Sequence, residues 1–244
     1  MTIMKWFSLL TGFLFLACTS VYSQDLSLNE LLDKYFKTGG MDIFQKSKSI
    51  ILTGTLAQQD ITPMMITRLR PNKYRMDFSV RDAPAIQAYD GQTAWWTMPW
   101  IGDNKPRVMP EETANELRIK SDFDGILFNW KAKGHVVELV GQEPMDTIRV
   151  YKIKVTRKDG GIEYYFIDTK KFLLQKRVSY LKQKNKEVEI ENCFSDYRNI
   201  EGVLISFINK NKIAGRTISI VKYESVELGK PVDEKIFELP QLKQ

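Results

Sequence analysis

MMITRLRPNKYRMDFSV, Met64 to Val80, is the stretch on which the reading of this chain turns. Met64, Ile66 and Arg68 alternate with their neighbours, Pro71-Asn72 turns the chain, and Tyr74, Met76 and Phe78 alternate beyond it. A period of two on both flanks of a turn predicts paired antiparallel strands. The same period starts earlier, at Ile51-Thr53-Thr55, so a meander begins near Ser49. Downstream, YDGQTAWWTMPW (Tyr89 to Trp100) puts three of five tryptophans within six positions, after an Asp90-Gly91 turn. Trp95 and Trp96 are adjacent on a strand and must face opposite sides. One enters the interior, and the other emerges outside or under a covering element, which argues for a second apolar compartment.

Working outward, further strands are expected over 136–140, 147–157, 161–168, 173–181, 187–197, 203–210 and 217–226. Turns at Asp159-Gly160-Gly161, Lys184-Asn185 and Glu201-Gly202 divide them. Tyr151, Ile153 and Val155 alternate with Lys152, Lys154 and Thr156, giving one buried and one wet face. Ser27 caps an amphipathic helix carrying Leu28, Leu31, Leu32, Tyr35 and Phe36, with Glu30 completing a capping box and Gly39-Gly40 ending it. A second helix follows Pro110, with Glu111 and Glu112 in its first turn. Phe123, Ile126, Leu127 and Trp130 fall at helical spacing, although Asp124-Gly125 opposes a helix there. So few helices among so many strands exclude a parallel sheet. The expected fold class is mainly β (α+β): an unclosed antiparallel β-barrel of about 10 to 11 strands with helices plugging its concave side.

Residues 1–23 carry Lys5, an apolar run from Trp6 to Ala17 and small residues ending at Ser23. This is a secretory signal, too short for a membrane anchor. Cleavage before Gln24 suits an ordinary signal peptidase and is the expectation. Phe15-Leu16-Ala17-Cys18 resembles a lipobox, with Phe15 where leucine is usual, and acylation at Cys18 is the alternative. Residues 24–244 show no repeat, linker or low-complexity tract and read as one domain. The formal charge is +6, of which Lys5 contributes one. The excess is spread out, with no basic stripe for nucleic acid, and weak attraction to anionic lipid headgroups fits it better. Without the leader Cys193 stands alone, so no internal disulfide is expected, and it reads as a small apolar strand residue.

Catalytic groups are scarce. His135 is the only histidine, which excludes histidine-rich metal sites and routes any Ser/His/Asp triad through one residue. There is no G-x-S-x-G elbow or P-loop. Asp122 and Asp124 read as solvated helix-end charges. No catalytic residue, metal or cofactor is expected. The surplus is apolar: Met64, Met65, Met76, Met98 and Met109 lie in or beside the first strands, and methionine suits surfaces that adapt to flexible apolar ligands.

TRLRPNKYRMDF (Thr67 to Phe78) followed by YDGQTAWWTMP (Tyr89 to Pro99) resembles the paired strands of the LolA/LolB family, the lipoprotein carriers and acceptors of bacterial envelopes. IFELP (Ile236 to Pro240) resembles that family's closing segment. The resemblance implies a helical lid over an apolar cavity that holds lipoprotein acyl chains. Arg70 matches the arginine that ties lid to barrel mouth, and Tyr74 an aromatic lining that mouth. It implies a non-enzymatic, monomeric periplasmic carrier working towards the outer membrane. Its partners would be acylated lipoproteins or lipid acyl chains, an inner-membrane release complex and an outer-membrane acceptor. A membrane-tethered acceptor, or an envelope sensor on the same fold, is the alternative. Two features depart from the family: the chain stops four residues after Pro240, without the carriers' tail, and the Ser79–Pro84 loop lacks the acceptor's protruding leucine. The candidate cavity wall is Ile51, Met64, Ile66, Tyr74, Met76, Trp95 and Trp96. The candidate lid residues are Arg70, Leu117, Phe123, Leu127 and Trp130.

Overall fold

The structure, a computed structural model, describes residues 26–81, 83–101, 105–183 and 186–241. The leader, both readings of the amino terminus and the Lys184-Asn185 turn lie outside these residues. In chain order come α1 (Leu28–Gly39), α2 (Met41–Phe44), β1 (Ser49–Ala57), β2 (Ile61–Leu69), β3 (Lys73–Val80), β4 (Ala83–Tyr89), β5 (Ala94–Thr97), β6 (Arg107–Val108) and α3 (Glu111–Ser121). After them come β7 (Val136–Met145), β8 (Ile148–Thr156), β9 (Ile162–Asp168), β10 (Leu174–Gln183), β11 (Lys186–Ile200), β12 (Val203–Ile213) and β13 (Arg216–Leu228).

The strands form one 13-stranded sheet in the order β6-β5-β4-β3-β2-β1-β13-β12-β11-β10-β9-β8-β7. Every neighbour is adjacent in sequence except β1 and β13, which pair antiparallel and join the two arms of the meander. The outermost strands β6 and β7 do not pair, so the barrel is unclosed, as expected. There are more strands than anticipated because β6 is only two residues long and Pro84 near the start of β4 disguises it as loop.

Local chemistry sets the boundaries. The Ser27 side chain accepts from the Glu30 N–H and the Glu30 carboxylate accepts from the Ser27 N–H, closing the capping box on α1. Gly40 ends the helix in the left-handed conformation, φ 74°. A Cβ there would lie 2.1 Å from the Gly202 carbonyl oxygen, so the position needs glycine for both its turn and its close approach.

The helix suggested by Phe123, Ile126, Leu127 and Trp130 does not form. Residues 122–134 are turns and irregular backbone, with positive φ at Gly125 and Asn129. Phe123, Ile126 and Leu127 are nonetheless buried, so the spacing marked burial and not backbone.

Strand register assigns the faces. Leu31 and Leu32 of α1 pack with Ile126 and Leu127 onto Tyr151, Ile153 and Tyr165, defining the concave side. Phe123 lies on Ile50, Leu52, Val203 and Leu228, and Leu117 of α3 on Tyr74 and Tyr89. The convex face carries a smaller cluster of Val150, Phe166 and Val178. The ammonium groups of Lys152 and Lys176 sit 5.5 and 4.6 Å from the Phe166 ring centroid, so their aliphatic stems shield it.

Candidate functional site: a latched apolar face

Residues directly opposite in a sheet point the same way, and the register builds a row across three hairpins. Ile66 pairs with Met76, Met76 with Gln87, and Gln87 with Trp96. Met64 pairs with Phe78 and packs with Leu56 and Val221. Met64, Ile66, Met76, Phe78 and Trp96 therefore share the concave face. Tyr74 lies on it too, buried beneath Leu117, and burial pushes its phenol above the ordinary range.

Two residues expected on the wall lie elsewhere. Ile51 is out of phase with Ile50 and Leu52, which pack against Phe123, so it points to the convex side. Trp95 is fully buried on the convex face, under the carboxy-terminal segment: its Nε1–H donates to the Phe237 carbonyl at 2.7 Å. Arg75 on the same face donates to the Ile236 carbonyl at 2.6 Å, and Lys73 pairs with Glu234 at 2.7 Å. The second apolar compartment thus exists, roofed by a 3-10 turn at Glu234–Phe237. Trp100, the third indole of the cluster, is half exposed beside Phe78.

A latch holds the cover. Arg70 Nε donates to the Ser47 carbonyl at 2.8 Å, Nη2 to the Phe44 carbonyl at 3.2 Å, and Nη1 to Asp124 Oδ2 at 2.7 Å. Its guanidinium also lies 4.2 Å from the Phe123 ring centroid, and Phe123 stacks on Phe44 at 5.0 Å. One side chain at the end of β2 therefore holds both α2 and the 122–134 segment. Asp122 and Asp124 are not solvated charges: Asp122 pairs with Lys133 at 2.7 Å, and Lys133 also donates to the Gly125 carbonyl at 2.8 Å. Leu127 and Trp130 cover the other arm, against the α1 cluster.

Arg68 was not anticipated. It shares strand parity with Met64 and Ile66, and that parity was the available signal. Its Nη2 donates to the Asp122 carbonyl, and its guanidinium lies 5.2 Å from the Phe123 ring centroid. Arg68 makes no ion pair among the described residues, and its buried Nε has no hydrogen-bond partner. Burial lowers its pKa against the opposing fields of Tyr74 and Asp122. Asp124 Oδ1 is likewise buried without a partner. Beside the latch, a cavity of about 170 Å³ opens between α1, α2 and β10–β12, lined by Tyr35, Phe36, Phe44, Phe172, Tyr197 and Ile205 among others.

The remaining polar candidates have local partners. His135 Nδ1 accepts from the Lys158 N–H at 3.0 Å, and burial, then the Lys133 charge, hold its pKa below the usual value. Asp90 caps its own turn, accepting from Gln92 and Thr93 N–H. Cys193 is half-buried on β11, and burial raises its thiol pKa. Among the described residues no group of three or more His, Cys, Asp or Glu is placed to hold a metal, and no helix is long and apolar enough to cross a membrane.

No family profile matches this chain, and no curated protein matches it in sequence. Solved structures do share its fold. A LolA superfamily protein from Nitrosomonas europaea superposes with a TM-score of 0.59 at 14% identity, over 88% of this chain and 98% of that one. A DUF1329 family protein from Desulfovibrio piger gives 0.60 at 13% identity, over 85% and 97%. A domain assigned to outer membrane lipoprotein sorting in Vibrio parahaemolyticus gives 0.58 at 10% identity, over 85% and 94%. At such identities the likeness is one of fold, and the fold is LolA/LolB-like.

Proposed function

We propose that this chain, with its LolA/LolB-like fold, is a non-enzymatic periplasmic carrier that shelters acyl chains of lipoproteins on the concave face and escorts them towards the outer membrane. The observation that carries the reading is an apolar row, Met64, Ile66, Met76, Phe78 and Trp96, interrupted only by Gln87 between Met76 and Trp96, beside a cover latched by the single residue Arg70. Apolar contact is non-directional, so affinity grows with buried area at roughly 25 cal/mol per Å² and tolerates varied chains. Flexible methionines adapt to such a ligand. Release then requires the cover to close back or a tighter acceptor to compete.

The latch is suited to opening. It holds through several hydrogen bonds, but the unpartnered Arg68 Nε and Asp124 Oδ1 tax the closed form. The lipoprotein-sorting description of the Vibrio parahaemolyticus domain supports envelope cargo. The test is to purify the chain after native export and identify its amino terminus and bound molecules by intact-mass and ligand mass spectrometry. A Gln24 terminus with acylated lipoprotein bound is the expected result. An acylated Cys18 would move the role to a tethered acceptor, and a chain that retains no acyl-bearing molecule would sink the carrier reading.

A further inference from the structure

The concave face is not apolar throughout. Glu163 is in phase with Tyr165 on β9, Arg177 stands opposite Tyr165, Asn192 opposite Arg177, Asn211 opposite Asn192, and Ser219 opposite Asn211. These side chains form two hydrogen-bonded groups, Arg157-Glu163-Tyr165 and an Arg177-Asn192-Asn211-Ser219 ladder, joined only by the longer approach of Arg177 to Glu163. Arg157 Nη1 donates to Glu163 at 2.7 Å and Tyr165 O–H to Glu163 at 2.9 Å. Arg177 Nη2 donates to Asn192 Oδ1 at 2.9 Å, Asn192 Nδ2 to Asn211 Oδ1 at 2.6 Å, and Asn211 Nδ2 to Ser219 Oγ at 2.8 Å. Ser219 is buried two residues before Val221, which packs with Leu56 and Met64. The ladder therefore runs into the apolar row.

The ladder has several spare donors. Each asparagine amide uses its oxygen and one N–H, leaving a second N–H; Ser219 keeps its hydroxyl proton; and Arg177 Nη1 lies 3.9 Å from Glu163, too far for a hydrogen bond. Lys120 adds a further donor group. Helix α3 bridges the concave side, with Ala114 and Leu117 in the β3–β5 cluster and Asn115 donating to Asp159 in the β8–β9 turn at 3.1 Å. Lys120 on that helix makes no ion pair or hydrogen bond among the described residues. The charges that act on it are Glu116, one turn earlier, and Arg177. Lys120 is exposed to water, and crowding by the surrounding chain, together with the Arg177 charge, lowers its pKa. Arg177 Nη1, the more distant of the two cations on Glu163, and a row of spare donors are left short of acceptors by a purely apolar occupant.

We propose that Lys120 and Arg177, with Asn192, Asn211 and Ser219, form a headgroup subsite that receives the acidic group, carboxylate or phosphate, of an amphiphile whose acyl chain lies along Met64, Ile66, Met76 and Trp96. This rests on the reading of the concave face as an acyl-chain site. The occupant is then an anionic single-headed lipid in addition to, or as the recognised part of, a larger acylated cargo.

The test measures displacement of a fluorescent fatty-acyl probe from the exported chain by palmitate, palmitoyl lysophosphatidate and the neutral monopalmitoylglycerol. The two acidic ligands are expected to bind about tenfold or more tighter than the neutral one, as charge-assisted bonds warrant. Lys120→Gln, which removes no partner from the folded chain, is expected to cancel most of that preference while leaving neutral binding unchanged. Arg177→Gln should do the same, but it also leaves Glu163 less neutralised, so Lys120→Gln decides. Equal affinity for acidic and neutral ligands, or an undiminished preference in Lys120→Gln, overturns the subsite while leaving the acyl-chain reading intact. Failure of all three ligands to bind overturns both. Inorganic phosphate should not compete; if it displaces the probe on its own, the source is a soluble phosphate and the amphiphile proposal falls.

Discussion

Arg68 and Arg70 show how position on one strand decides what a guanidinium does. Arg70, at the strand end, spends its planar fork on two carbonyls and a carboxylate, a geometry that lysine cannot reproduce. Arg70→Leu should therefore cost about 1–3 kcal/mol, a figure kept low because both Arg70 and Asp124 are about a fifth exposed. Amide exchange over residues 45–47 should accelerate, and Arg70→Lys should recover little. Unchanged urea midpoints and exchange rates would show that the latch holds nothing. A second residue-scale effect concerns acid. Asp159 accepts from Arg157, Asn115 and the Gly161 N–H, and those bonds, Arg157 foremost, hold its carboxyl well below the ordinary 3.8. A carboxylate with a lowered folded pKa contributes stability that is complete above the unfolded value and is lost as pH falls through the folded one. Urea stability should thus decline below about pH 4, and Asp159→Asn should flatten that slope between pH 4 and pH 2. An identical slope in the variant would assign the acid response to other groups.

Elements that look peripheral do structural work here through burial. The carboxy-terminal 3-10 turn has only four residues, yet Phe237 in it is fully buried and its carbonyl satisfies the Trp95 indole. Deleting residues 233–244 would uncover an indole on the convex face and leave its N–H to water. The expected outcome is a red-shifted tryptophan emission with loss of several kcal/mol, on the scale of removing a large buried aromatic contact. Trp95→Phe should be milder, about 1–3 kcal/mol for the orphaned Phe237 carbonyl. If the truncated chain kept wild-type emission and stability, the segment would not be the roof of this compartment. Trp96→Leu, on the opposite face, should instead alter acyl-probe binding with little effect on stability.

Across the whole molecule, one sheet with unpaired outer strands makes stability uneven. The pairing of β1 with β13 lies at its centre and joins the arms, whereas β6 offers two residues to β5. Local opening follows such differences, so protection against hydrogen exchange should be highest in β1 and β13 and lowest at β5–β6. Equal protection throughout would mean that the sheet opens only as a unit. An unclosed sheet also leaves its concave side to be filled by something other than strands, and α1, α2, α3 and residues 122–134 supply most of that filling.

By itself the sequence determined the mainly β architecture, the capped α1, the meander and the opposed indoles, because period, caps and turn residues act over a few neighbouring positions. It also marked Phe123, Ile126 and Leu127 as buried, though not the irregular backbone that buries them. Only the tertiary structure decided the faces. In SIILTGTLA two interleaved sets alternate, and the chain buries Ile50, Leu52 and Leu56 while Ile51, Thr53 and Thr55 face outward. An extra residue turns the later side chains of its strand over, and β13 carries one, Glu224, opposite Thr53 and Gly54. The Arg177-Asn192-Asn211-Ser219 ladder has the same origin: it joins strands through pairings that no local spacing encodes. Arg68 reached the buried face by that rule, and its contact with Phe123, a residue far along the chain, arises only from the tertiary fold.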